Sequence, residues 1–375
     1  MGTNKIKRIL VLTSSRADFG IYLPLLKKIK IHNELFDLKI LAFGSHLSKF
    51  HGYTINQIYE VGFEVDFKIS SMLTDDQPVD IATSFSLTSL KFAEFWNAQR
   101  DNFDWVVVLG DRYEMAAAVL AGIPFGIPFA HLYGGETTLG AIDNIYRHTI
   151  SQASKLHFVS LDQFKLRIEE LLFTTQHDCH VVGSLSLDNL AEVKLLSKIE
   201  FYEKWQIDLN KKSILITIHP ETVDFRKNEF YSNQVYDALK IMGLNRQLIV
   251  TMPNADTSGT IYRDMFKKLK FELGQNIILI ENLGTQSYFT CMKFCGLMIG
   301  NTSSGITEAA SFKKYVVNIG DRQKGRPTSK NVLSIPFDVN EIISLSENYF
   351  GKQYYGENIY YKANTTENII KQLIK

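Results

Sequence analysis

The chain has 375 residues, 45% apolar and 22% charged, the proportions of an ordinary water-soluble globular protein. Forty-one basic against forty acidic residues leave a formal net charge of +1, which offers no electrostatic footprint for nucleic acid and no basic tail. Three cysteines, Cys179, Cys291 and Cys295, are too few for a disulfide framework and point to a reducing compartment. Cys291 and Cys295 stand at helical i,i+4 spacing with no histidine near them in sequence, which reads as two buried thiols and not as a metal site. The apolar stretch Ile9–Leu12 is too short for a signal-peptide core or a membrane span, and no later run is long enough either, so a cytoplasmic protein with no membrane contact is expected.

This length exceeds what one hydrophobic core organises, so two domains are the starting expectation. In chain order, short apolar runs alternate with longer amphipathic segments, as in parallel strands joined by helices. "RILVLTSS" leads into "IYLPLLKKIK", and "LKILAFGS" follows. "WVVVLGDR" precedes "YEMAAAVLAGI", "IPFAHLYGG" precedes "DNIYRHTISQAS", and "KLHFVS" and "CHVVGS" close the first series. A more polar stretch, 184–212, reads as a connector. A second series then runs through "SILITIHP", "QLIVTMPNAD", "NIILIENL", "GLMIGNTSS" and "YVVNIGDRQ". The predicted organisation is α/β, two Rossmann-like domains facing a central cleft: 1–183, the connector 184–212, 213–356, and a C-terminal amphipathic helix in 357–375 that would pack back on the first domain. No solenoid repeat or low-complexity tract is present.

Ligands of such sheets bind beyond the carboxyl ends of the strands. The residues there are unusually polar: Arg16 and Asp18, then His46, then Asp111, Arg112 and Glu114. The segment "HLYGGETTLGAIDNIYRH" adds His131, Glu136, Asp143, Arg147 and His148, and the second series adds His219, Asn254, Glu308 and Arg322. Each alone has an ordinary explanation. Arg16 with Asp18 would make a surface ion pair, Asp143 with Arg147 a routine helical pair worth about 0.3–0.5 kcal/mol, and His131 and His219 core histidines. Their collection on one topological edge is what random placement does not give.

"GNTSSGITEAAS" joins a strand to a helix through three hydroxyl residues, so free backbone N–H groups and the positive helix end would face an anion. Its other reading is a Ser or Thr N-cap. Glu308 follows Ser304 by four residues, one too many for a capping box, which leaves it to accept from hydroxyls such as a ribose diol. GxGxxG after a strand, GxxxxGK[ST] and HExxH are all absent, which argues against a nicotinamide cofactor, a P-loop nucleotidase and a zinc protease. A phosphate-bearing ligand held by helix ends and arginines suggests a sugar nucleotide.

"SSRADFG", "GSHL", "GDRYE", "HLYGGETTLGAID…RH", "ITIHPET", "PNAD", "GNTSSGITEAASF" and "NIGDRQKGR", in order from about residue 8 to 330, resemble the hydrolysing UDP-N-acetylglucosamine 2-epimerases of sialic acid biosynthesis. The resemblance implies the glycosyltransferase-B architecture, no cofactor or metal, and UDP-GlcNAc and UDP as ligands. It also implies a homodimer or homotetramer. It places Arg16 and Arg112 at the diphosphate and His219 at the UDP and sugar site. Thr302, Ser303, Ser304 and Glu308 fall around phosphate and ribose, supported by Asn254 and Arg322. Asp111, Glu136 and Asp143 match the acid/base region, and His46 the histidine of "GSHL". Several relatives carry an acid third in "HxxGGE", where this chain has Tyr133, so that role would pass to Tyr133, Glu136 or Asp143.

The implied reaction is UDP-GlcNAc plus water to ManNAc plus UDP, by elimination to 2-acetamidoglucal and then hydration with inversion at C2. Asp111 or Asp143 would serve as acid/base with Glu136 helping, Arg16 would face the leaving group, and Gly134 and Gly135 would let backbone approach the sugar ring. A related branch takes a nucleotide-linked 2,4-diacetamido-trideoxy sugar, with UDP or GDP as carrier. The rivals are a glycosyltransferase on the same fold and a non-catalytic sugar-nucleotide sensor.

Overall fold

The alternation of Val/Ile/Leu-rich runs with helices builds two parallel sheets in the computed structural model, which describes residues 6–50, 52–75, 77–173, 178–253 and 259–375. The first sheet contains β1 (Lys7–Thr13), β2 (Phe36–Phe43), β3 (Phe67–Ile69), β4 (Trp105–Leu109), β5 (Phe129–Leu132), β6 (Leu156–Val159) and β7 (Asp178–Val181), in the order β3-β2-β1-β4-β5-β6-β7. The second contains β8 (Ser213–Thr217), β9 (Gln247–Thr251), β10 (Ile277–Ile280), β11 (Leu297–Gly300), β12 (Val316–Ile319) and β13 (Val332–Ile335), in the order β10-β9-β8-β11-β12-β13. Both sheets start in the middle and run outward twice, so the strand order reverses between β1 and β4 and again between β8 and β11. Those are the switch points at which such sheets bind ligands.

Alternating side chains divide the first sheet's core in two. Ile9, Val11, Ile40, Ala42, Val107 and Leu109 face one cluster, with the helices Arg16–Ile31 and Thr365–Leu373. Leu10, Leu12, Leu41, Phe43, Val106 and Val108 face the other, with the helices Pro78–Gln99 and Tyr113–Gly122.

The chain divides into two compact units, one of 1–136, 143–192 and 360–375, the other of 137–142 and 193–359. The stretch 184–212 is therefore shared between them, its first nine residues with the first unit. Residues 137–142, which lie within the first βα series in sequence, belong to the second unit. The C-terminal helix closes on the first unit. Lys28 pairs with Glu367, Thr365 Oγ1 donates to the Val182 carbonyl at 2.7 Å, and the Asp188 carboxylate accepts from Thr366 N at 2.6 Å. No described helix is long and apolar enough to cross a membrane.

Two edge strands and one long helix are among the elements that the sequence pattern did not mark. β3 and β13 are three- and four-residue edge strands with partly exposed side chains. The 22-residue helix Pro78–Gln99 buries Ser84, Thr88, Phe92 and Trp96, a stripe half made of hydroxyl residues and therefore weak as an apolar signal.

Ile369, Ile370 and Leu373 are buried in the first unit's core. Leu373→Ala should lower the unfolding free energy by about 2–5 kcal/mol through the cavity it leaves. An unchanged denaturant midpoint would show that the terminal helix adds nothing to this core.

Candidate active site

In the first unit, the turn after β1 is set by one carboxylate. Asp18 accepts from the backbone N–H of Ser14, Ser15 and Phe19 at 2.7, 2.8 and 2.9 Å, and from the hydroxyls of Thr13, Ser14 and Ser15. Ser15 and Asp18 form a capping box at the start of Arg16–Ile31. Asp18 is thus a structural anchor, and it delivers Arg16, half-buried, at the first helical position. His46 is fully buried, with Nε2 2.9 Å from Thr13 Oγ1 and Nδ1 2.9 Å from Thr54 Oγ1. Burial lowers its pKa. With both ring nitrogens engaged, His46 bridges the β1 and β2 loops.

The loop after β4 carries Asp111 and Arg112. Arg112 turns to the buried Glu114, Nη2 to Oε1 at 3.0 Å and Nε to Oε2 at 3.2 Å. Burial raises the Glu114 pKa, against which the Arg112 charge acts. Asp111 pairs with Arg147 from the helix Asp143–Ala153. Arg147 is buried, and its Nη1 also donates to the Glu136 backbone carbonyl at 3.1 Å. One guanidinium therefore ties the Asp111 side chain to the backbone of Glu136, four residues along its own helix from Asp143. The Glu136 carboxylate is itself buried and accepts from Ser160 Oγ at 3.3 Å.

Tyr133 takes the left-handed conformation, φ 67°, and its hydroxyl lies 3.0 Å from Ser184 Oγ and accepts from Ser186 N at 3.2 Å. Its hydroxyl anchors the start of the helix Leu185–Glu192. Gly134 and Gly135 serve protein packing. A Cβ on Gly134 would lie 2.9 Å from Ser151 Oγ, and one on Gly135 would lie 2.3 Å from the Phe164 carbonyl, at φ 74°. That corrects the expectation that they make room for a sugar ring.

His131 is buried between Ser151 Oγ at 3.1 Å and the Gly110 carbonyl at 2.9 Å. Burial pushes its pKa down to about 3, and burial with the Arg147 and Arg167 charges pushes His148 down to about 4. Both are neutral near pH 7.

In the second unit, the β8 loop and the β11 turn are joined by a residue the sequence reading passed over. Asn301 is fully buried; its Oδ1 accepts from His219 N at 2.7 Å and its Nδ2 donates to the His219 carbonyl at 2.8 Å. Gln323 then donates to the Asn301 carbonyl at 2.8 Å. The available signal was Asn301's place between a strand and a cap. Thr302 is the N-cap of Ser303–Thr307, accepting from Ser304 N, and Ser304 Oγ is 2.7 Å from Tyr288 Oη. This helix has five residues, so the anion-attracting dipole expected from sequence is a single turn, and the hydroxyls of Thr302, Ser303 and Ser304 are the larger resource.

Glu308 is buried at that helix's C-terminal end. Arg322 is half-buried on the β12 loop, whose Asp321 N–H donates to Glu221 Oε1 at 2.6 Å. Asn254 lies outside the described residues. A cavity of about 460 Å³ beside the β12 loop is lined by Glu221, Tyr231, Gly320 and Phe337 among others, and by none of the residues nominated from sequence. All three cysteines are buried, and no group of three metal-binding side chains occurs among the described residues.

A histidine whose folded pKa lies below its unfolded value, about 6.5, loses stability as pH falls from that value toward the folded one. The denaturant midpoint should therefore drop between pH 6.5 and 4, and His131→Gln should flatten that dependence. An unchanged slope in the variant would remove His131 as its source.

A family model described as UDP-N-acetylglucosamine 2-epimerase matches residues 27–374. The chain is 34% identical over 348 residues to the GDP/UDP-N,N'-diacetylbacillosamine 2-epimerase (hydrolyzing) of Campylobacter jejuni, covering 93% of this chain and 88% of that protein. It is 33% identical to the UDP-N,N'-diacetylbacillosamine 2-epimerase (hydrolyzing) of Legionella pneumophila, covering 90% and 88%. It is 31% identical to polysialic acid biosynthesis protein P7 of Escherichia coli, covering 99% and 95%. Among solved structures, the UDP-GlcNAc 2-epimerase of Methanocaldococcus jannaschii in complex with UDP-GlcNAc and UDP shares the fold, with TM-score 0.79 at 15% identity over 98% of this chain and 99% of that one.

Proposed function

The chain belongs to the hydrolysing UDP-N-acetylglucosamine 2-epimerase family, and from that premise we propose that it removes UDP from a UDP-linked 2-acetamido sugar, releasing the free sugar inverted at C2. The observation that carries this reading is the Arg147 junction, which holds Asp111 and the Glu136 backbone beside the start of the Asp143 helix. Two carboxylates, Asp111 and Asp143, belong to helix-anchored positions in one unit, as a reaction with a proton removed and a proton returned requires.

The C2 proton is not acidic enough to leave alone. As the C1–O bond breaks, its electron pair departs with the UDP β-phosphate oxygen, and positive charge builds at C1. A carboxylate takes the C2 proton, the C2–H pair becomes the C1=C2 double bond, and a 2-acetamidoglucal results. Water then adds its oxygen to C1, and C2 receives a proton on the opposite face. We assign Asp111 and Asp143 to the two proton transfers and Glu136 to supporting them, with Arg16 and Arg112 facing the diphosphate. In the second unit His219, Thr302, Ser303, Ser304 and Arg322 are assigned to UDP and the sugar, and Glu308 to the ribose diol. Stabilising the departing charge by such fixed donors contributes about 3–4 kcal/mol per group in other enzymes.

For the sugar, the reading we favour is N,N'-diacetylbacillosamine, supported by the two relatives at 34% and 33% identity. UDP-GlcNAc is the second reading, supported by the 31% identity to the polysialic acid biosynthesis protein, of which this chain covers 95%.

Offered each UDP-sugar separately, the enzyme should release UDP from UDP-N,N'-diacetylbacillosamine with a kcat/KM at least about tenfold above that for UDP-GlcNAc, a difference of 1.4 kcal/mol. The reverse order would establish the second reading, and no release from either would sink both. Asp111→Asn and Asp143→Asn should each lower kcat by about 10²–10⁴-fold. Variants as active as the parent would remove these carboxylates from the chemistry.

A further inference from the structure

The reversal point of the second sheet is built from hydroxyl residues. Thr217 and Thr251 end β8 and β9 in register with each other, and their hydroxyl oxygens lie 2.6 Å apart. Gly300, the last residue of β11, pairs with Thr217 on its other side, where a Cβ would run into the Thr217 carbonyl oxygen. The turn that follows β11 therefore starts pressed against the end of β8. Tyr288, from the helix Gly284–Phe294, reaches over this point. Its Oη lies 2.7 Å from Ser304 Oγ and 3.4 Å from Thr217 Oγ1. Thr302 caps the short helix Ser303–Thr307, so the Ser304 hydroxyl is not used in the cap. All of these residues belong to the second unit.

Each hydroxyl has one proton and two lone pairs, so the direction of the chain can be worked out. Its inner end is fixed: Thr251 Oγ1 donates to the Ile216 carbonyl at 3.4 Å, and a carbonyl only accepts. Thr217 then gives its proton to Thr251, and what it offers Tyr288 is a lone pair. Two arrangements remain. In the first, Ser304 donates to Tyr288 and Tyr288 to Thr217, so every proton points inward and Ser304 presents only lone pairs to a ligand. In the second, Tyr288 donates to Ser304, and the Ser304 proton points outward. An anion selects the second. Burial of the phenol pushes its pKa up, so it keeps its proton and can donate in either direction. The 3.4 Å contact it gives up is long for a hydroxyl hydrogen bond, while the 2.7 Å contact it strengthens has the commonest length.

We propose that Tyr288 is a positioning residue for Ser304: when a phosphate of UDP occupies the turn after β11, Tyr288 turns its proton from Thr217 to Ser304, and Ser304 turns its own to a phosphate oxygen. The inference rests on the assignment of Ser304 to UDP under Proposed function, and it gives Tyr288 no contact with the ligand. A serine that accepts a hydrogen bond is a stronger donor to the oxygen it faces. Without the phenol, Ser304 loses both that polarisation and the contact that fixes its rotamer.

The test is a double-mutant cycle on the UDP Kd, read by calorimetry with no turnover needed. Tyr288→Phe keeps the ring and removes the hydroxyl; it should weaken UDP binding about three- to tenfold, the span of one net hydrogen bond. Ser304→Ala should weaken it at least as much. Adding Tyr288→Phe to Ser304→Ala should then change the Kd by less than about twofold, because no serine is left to position. Parental affinity in Tyr288→Phe would overturn the proposal. So would a loss that persists in the alanine background, which marks a packing role independent of Ser304. A parent enzyme that binds UDP but releases it from neither sugar nucleotide defeats the proposed reaction alone and leaves the cycle to decide Tyr288. One that binds no UDP overturns both.

Discussion

A guanidinium buried in the first unit is the constraint on which the candidate site depends. Arg147 is among the largest fully buried side chains, and a charge in that position is tolerated only when paired and hydrogen-bonded. Its partners are Asp111, at the end of β4, and the Glu136 carbonyl, beyond β5. Removing one partner of such a pair is usually worth 3–5 kcal/mol of destabilisation in proteins at large. The same interaction that satisfies the core therefore fixes Asp111, and it links the two loops on one side of a switch point to the helix that begins with Asp143. Stability and site geometry are not separable here.

The surroundings follow the same logic. His131 is neutral near pH 7 because it is buried, and half-buried His148 because of desolvation and the Arg147 and Arg167 charges, so the positive charge next to Asp111 comes from arginine, whose charge does not titrate in the working range. Asp18 gives its carboxylate to the backbone N–H groups of the turn after β1, which lets that loop be irregular without leaving them unpaired, and His46 ties it to the loop after β2 through the Thr13 and Thr54 hydroxyls. In the second unit Asn301 does for His219 what Arg147 does for Asp111: a buried polar side chain from a neighbouring strand end holds the loop from both its N–H and its carbonyl.

Much of this was legible in the sequence, and the limits are physical. The central strands announced themselves because both faces of each are buried, giving runs such as Val106–Leu109 with no polar interruption. The edge strands β3 and β13 have one flank without a neighbour and need no such run. Polar strand ends pointed to Asp111, Glu136, Asp143 and His219, but partners far apart in sequence could not be read. Arg147 looked like a helical partner of Asp143, four residues away, and the structure also pairs it with Asp111, 36 residues away. His46 and Asp18 hold turns through partners that the sequence alone does not pair with them. The glycine pair 134–135 read as room for a ligand because the sequence cannot show that Phe164 and Ser151 press on it. Nor could it show that 137–142, contiguous with the first series, folds with the second.

The account's central claim is that carboxylates of this chain exchange the proton at C2 while UDP leaves. Proton NMR of the sugar released in D2O tests it most directly. The account predicts one deuterium at C2 of the product and the inverted configuration there. Release of UDP with the original C2 hydrogen and configuration retained would contradict it, and would mean that the bond to UDP is broken without proton exchange at C2.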